Sequence, residues 1–85
     1  MIYGIDLNKK TKNFLLKHEG IAKIFFNKIK ILAENPYDNS LDIKKMHWFE
    51  NVFRLRVWKY RFLYEIIEDK ILIQFLDADS RWSIY

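Results

Sequence analysis

Eighty-five residues, half of them hydrophobic, suffice for one compact domain over residues 1–85, and the absence of cysteine excludes disulfide frameworks, thiol nucleophiles and thiolate metal sites. No apolar run approaches the ~20 residues that cross a bilayer, and Met1-Ile2-Tyr3-Gly4-Ile5-Asp6 lacks the basic-then-apolar order of an export signal, so a cytoplasmic protein is expected. A net charge of +4 and a pI near 9.4 favour polyanionic partners without naming one.

Ile2 to Leu7 is rich in strand formers and ends at Asn8, a good helix N-cap, which predicts a strand turning directly into a helix. That helix is expected to reach about His18, with Phe14 and Leu15 facing inward, Lys9, Lys10, Lys12 and Lys17 solvated, and Gly20 closing it. From Ile21 the apolar positions Ile21, Ile24, Phe25, Ile29 and Leu32 recur at spacings of three and four, one stripe of a second helix. Pro36-Tyr37-Asp38-Asn39-Ser40 reads as the loop that ends the helical half.

Phe53 to Val57 alternates apolar and charged residues, and Tyr60 to Ile66 is aromatic-rich, with Trp58-Lys59 as a tight connection between them. Ile71 to Leu76 is a further strand, and Trp82 to Tyr85 a short terminal one. Helices grouped before strands imply an α+β fold: an antiparallel sheet with an N-terminal strand, covered on one face by a helical hairpin.

The charge is unevenly distributed along this order. Residues 44–61 hold Lys44, Lys45, Arg54, Arg56, Lys59 and Arg61 against Glu50 alone, a net +5, whereas residues 62–85 carry a net −3. Strand alternation puts Arg54 and Arg56 on one side of the sheet, and hairpin pairing brings Arg61 to the same side, away from the helices. Like charges opposed across a sheet destabilise it, so the trio needs a counter-charge, either Glu65 or Asp79 from within or an anionic partner from outside. Arginine suits phosphate because its planar fork makes two-point contacts and stays charged.

Asn35-Pro36, Lys44-Lys45-Met46, the run from Phe53 to Ile66 and the segment from Ser80-Arg81 to Ile84-Tyr85 together resemble the RelE/ParE toxin superfamily, over nearly the whole chain. The resemblance implies a type II toxin–antitoxin toxin that enters the ribosomal A site, cleaves messenger RNA and so inhibits translation, held inactive by a cognate antitoxin. The implied chemistry uses the RNA's own 2′-hydroxyl as nucleophile and calls for no cofactor and no metal.

Position by position, Arg54 and Arg56 match the family's basic pair, Arg61 its phosphate-binding arginine, Arg81 the basic position of the C-terminal motif, and Tyr85 the tyrosine that stacks on a base and assists proton transfer. Lys44, Lys45 and Trp82 would add RNA contacts around them. Trp58 replaces a glycine common at the hairpin turn, Ser80 a frequent histidine, and Asp79 a basic residue found in some RNA-cleaving members. Asp79 and Ser80 favour the alternative of a ParE-like protein that poisons DNA gyrase by binding; a third alternative is a catalytically inactive member acting as a binding module.

Outside that pattern, His18 is expected to cap helix carbonyls, His47 beside Trp48 in the basic segment is a general-acid candidate without a spaced partner, for which a structural role is the commoner one, and the two make no metal motif. Trp48, Trp58 and Trp82 are candidates for stacking on bases, with packing at the sheet rim the commoner role.

Overall fold

Asn8 fixes the first corner of the molecule. In the computed structural model, which describes residues 2–38, 40–47 and 49–79, strand β1 (Gly4–Leu7) leads through Asn8 into helix α1 (Lys9–Lys17). The Asn8 side chain accepts from the Thr11 backbone N–H at 2.9 Å and the Thr11 hydroxyl at 2.7 Å, and donates to the Leu76 carbonyl at 2.6 Å. One residue thus caps the helix and ties its start to the sheet.

Helix α2 (Glu19–Glu34) follows after His18 alone. Gly20, expected to close the first helix, lies instead in the first turn of the second. His18 makes the break without a glycine: its backbone N–H returns to the Leu15 carbonyl, its Nδ1 donates to the Phe14 carbonyl at 2.8 Å, and its ring stacks on Phe14. The expected capping role of His18 is therefore observed.

The strands that follow are β2 (Ile43–Lys45), β3 (Val52–Val57), β4 (Tyr60–Ile67) and β5 (Leu72–Asp79), in the spatial order β1-β5-β4-β3-β2. The α+β class is as expected, with one addition: β1 pairs with β5 in parallel, so the sheet is mixed. β2 was not legible in the sequence, because three residues are too few to show alternation and two of them are lysines. The terminal strand expected at 82–85 lies outside the described residues.

The core forms between the helical hairpin and one sheet face. Ile21, Phe25, Ile29 and Leu32 of α2 are buried against Leu55, Phe62, Tyr64 and Phe75, with the Phe25 ring 4.4 Å from Phe62 and 5.1 Å from Phe75. Each such side chain contributes roughly 1.5–3 kcal/mol on burial, which makes this layer the main stabilising term.

A bulge then sets the opposite face. Tyr64 pairs with Phe75 but Leu63 with Asp77, leaving Leu76 as the extra residue, and its carbonyl is the one Asn8 takes. Before the bulge Ile73 and Phe75 point to the helices; after it Ala78 does, so Asp79 turns to the open face beside Arg61, while Asp77, opposite Leu63, pairs with Lys10 Nζ of α1 at 2.7 Å.

Candidate nucleic-acid interface

The three hairpin arginines share the open face. Antiparallel pairing of β3 and β4 sets Arg56 directly opposite Arg61 and Arg54 opposite Leu63, and cross-strand partners project to the same side. β2 brings Lys44 opposite Arg54, which adds a fourth cation to that side. Lys45, expected with them, pairs with Phe53 and so belongs to the other face; a one-residue step along a strand reverses the side chain's direction.

The expectation of three solvent-facing guanidinium groups is met in placement and corrected in exposure. Arg54 and Arg61 are only 7% and 4% exposed, while the Arg56 side chain is 45% exposed. The physical reason at Arg54 is Asp42, in the segment just before β2. One Asp42 oxygen accepts from Arg54 Nη2 at 2.8 Å and the other from Arg56 Nε at 2.7 Å, so a single carboxylate bridges both arginines. The Asp42 carbonyl also accepts from the Arg56 backbone N–H at 2.9 Å, which fixes the segment along the free edge of β3.

Arg61 is held differently. Its Nη1 donates to the Lys59 carbonyl at 2.9 Å, folding the side chain toward the hairpin turn, and Asp79 stands directly opposite it on β5. Of the two counter-charges expected from sequence, Asp79 thus occupies the right register position beside the arginines. Glu65 pairs with Val52 and Gln74 at the other end of the strand, away from Arg56 and Arg61.

Asp42 was missed from sequence because it lies twelve and fourteen residues from its partners, and only the β2–β3 pairing brings it near. Asp42 holds Arg56 through Nε, and among the described residues no partner takes the terminal nitrogens of that half-exposed fork, which can meet an anion. Arg54 Nε is buried without a hydrogen-bond partner among the described residues, a cost that the bridge to Asp42 offsets in part.

Arg81, Trp82 and Tyr85, the remaining expected site residues, lie outside the described residues, as do Ser80 and Trp48. His47 is exposed between β2 and β3. What the described face can do is bind an anion: Lys44 and Arg56 present charge at the surface, with Arg61 set deeper beside them.

No family model and no curated protein sequence matches the chain; solved structures do. It is similar to a chain of the archaeal RelE–RelB complex from Pyrococcus horikoshii, at 20% identity over 93% of this chain and 94% of that one, with a TM-score of 0.80. A chain of the RelB–RelE antitoxin–toxin complex from Methanococcus jannaschii matches at 30% identity over 94% of each chain, with a TM-score of 0.73. A mutant of the E. coli toxin RelE in the free state matches at 16% identity over 92% of this chain and 82% of that one, with a TM-score of 0.76.

Proposed function

The chain belongs to the RelE-like toxin superfamily, and from that premise we propose that it is the toxin of a toxin–antitoxin pair and cleaves messenger RNA on the ribosome, in the cytoplasm. The observation that carries this reading is the cross-strand pair Arg56 and Arg61 on the sheet face opposite the helices. Arg56, held through Nε, presents its terminal nitrogens at a half-exposed surface beside Lys44, with Arg61 set deeper opposite it, so a phosphodiester can take a two-point contact from the fork.

In the proposed reaction the RNA's 2′-hydroxyl attacks the adjacent phosphorus and the 5′-oxygen of the next nucleotide leaves. Arg61 and Arg81 stabilise the extra negative charge on the phosphoryl oxygens, and Tyr85 assists proton transfer. Tyrosine is a weak base at neutral pH, so its part depends on neighbouring arginines stabilising the phenolate. Lys44 and Arg56 hold the flanking phosphates, and Arg54 acts through Asp42 to set the position of Arg56. A cognate antitoxin is the proposed protein partner, meeting the basic surface with an acidic or amphipathic segment.

Purified protein added to translating ribosomes is expected to produce defined cuts within the message, and Arg61→Ala to slow cutting by about 100-fold or more. Intact message with an undiminished rate of protein synthesis would overturn the reading.

One observation favours a second reading. Asp79 directly opposes Arg61, and a carboxylate there repels phosphate, which suits a ParE-like protein that inhibits DNA gyrase by binding. Stalled gyrase cleavage complexes in a supercoiling assay, with translation normal, would select it.

A further inference from the structure

Trp58 is built against local preference. It is the first residue of the two-residue turn between β3 and β4, its φ is 59°, and it is 70% exposed. Side chains other than glycine enter that backbone region at a cost, and an indole left in solvent gains little packing to offset it. The turn thus holds an exposed aromatic in a strained conformation at the end of a basic strand.

A cleft of about 300 Å³ opens on one side of the indole, lined by Ile24, Lys28, Ser40, Asp42, Arg56 and Val57 together with Trp58. Its chemistry is divided. Ile24 and Val57 supply an apolar floor, Trp58 a flat aromatic wall, Ser40 a hydroxyl, and Lys28 and Arg56 two cations from different elements. The single carboxylate, Asp42, already has one oxygen committed to Arg54 and the other to Arg56. Counting Arg54 and Asp38, whose carboxylate accepts from the Ser40 backbone N–H at 2.7 Å, three cations oppose two anions among the described residues, so the cleft retains a net positive charge.

We propose that this cleft is a subsite for one nucleotide of single-stranded RNA, its base stacked on Trp58 and its phosphate held between Lys28 and Arg56. The inference rests on the reading of the arginine face as an RNA-binding surface. Arg56 belongs to both places: it faces Arg61 across the hairpin and lines the cleft, so a strand crossing the arginine face continues into the cleft without a break in positive charge. Trp58 lies two residues beyond Arg56, about 7 Å along an extended strand, which one nucleotide can span. Aromatic stacking beside a cationic track is how proteins bind single strands without reading their sequence.

The test is the affinity of a short fluorescein-labelled single-stranded oligoribonucleotide of mixed sequence, measured by polarisation across a salt series. It compares the wild-type protein with Trp58→Gly, Trp58→Phe, Lys28→Ala and Arg61→Ala. Glycine at position 58 removes the indole while relieving the backbone, so its melting temperature should match or exceed the wild type's and a folding defect is not the cause of any loss.

Trp58→Gly should weaken binding by about 5- to 100-fold with the salt slope unchanged, and Trp58→Phe should keep most of the affinity. Lys28→Ala should weaken binding and reduce the salt slope by about 0.7, the signature of one lost phosphate contact. If Trp58→Gly and Lys28→Ala bind as the wild type does while Arg61→Ala does not, the subsite is wrong and the RNA-binding face stands. If the wild type binds no RNA, the underlying reading fails, and the subsite with it. Loss of affinity for a partner protein with RNA binding intact would reassign the cleft and overturn the proposal.

Discussion

The two faces of this sheet are made by the same strands and hold together in different ways. Toward the helices, Phe25, Phe62, Tyr64 and Phe75 are fully buried and meet one another through several ring contacts. On the open face, Arg54 and Arg61 are also buried, but Arg54 is bridged by the Asp42 carboxylate, and Arg61 donates to a turn carbonyl beside the register-matched Asp79. Apolar burial is non-directional and spreads its contribution over many neighbours; burial of a guanidinium concentrates it in one or two directional partners. The helix side therefore sets how stable the domain is, and the open side sets where its charges point.

The largest effect should come from the helix side. Phe25→Ala removes a ring that touches Phe62 and Phe75 at the centre of the core and should cost about 3–5 kcal/mol, read by urea denaturation. The proposed cutting of messenger RNA, where the variant remains folded, should be unchanged in pattern. A loss of cutting in folded Phe25→Ala protein would break the division of labour between the faces.

An intermediate effect is expected at Asp42. Asp42→Asn leaves the buried Arg54 fork without its charge partner and should destabilise the domain by about 2–3 kcal/mol, below the usual range for a fully buried pair because Asp42 is itself 43% exposed. Adding Arg54→Met should recover most of that loss, since a buried charge is then replaced by an apolar side chain of similar length. A double-mutant cycle between positions 42 and 54 reads the coupling directly; additive effects would show that the bridge does not hold Arg54 in place.

Legibility in the sequence divides between the same two faces. The helix face was legible: the α2 stripe at Ile21, Phe25, Ile29 and Leu32 and the alternation of Phe53, Leu55 and Val57 carry a period that depends only on local geometry. The side taken by Arg54, Arg56 and Arg61 followed from that alternation as well. The burial of Arg54, the part played by Asp42 and the orientation of Lys45 did not, because each depends on β2, whose register comes from a pairing between segments with no sequence signal of their own. The bulge at Leu76 was equally hidden, and it alone turns Asp79 toward Arg61. The Trp58-Lys59 turn was placed correctly, while the cleft beside it needed Lys28 from α2 and Ser40 from a loop to come together.

The smallest effect tests whether the apolar face tolerates a polar atom. Tyr64 is fully buried, and its hydroxyl has no hydrogen-bond partner among the described residues. Burial, followed by the nearby Tyr37, raises its pKa well above the usual 10.0. Tyr64→Phe removes the unpartnered hydroxyl and should leave stability at neutral pH unchanged or raise it by about 1 kcal/mol. The alkaline range distinguishes it further. Above pH 10 the unfolded phenol releases its proton while the folded one keeps it, so the folded state binds more protons and stability falls as pH rises. That decline, at most about 1.4 kcal/mol per pH unit for one group, is present in the wild type and should be absent in Tyr64→Phe. Urea titrations on either side of pH 10 measure it. Equal alkaline slopes in the two proteins would mean that Tyr64 reaches water or a partner when the sheet breathes, and that the helix-covered face is less closed than its packing implies.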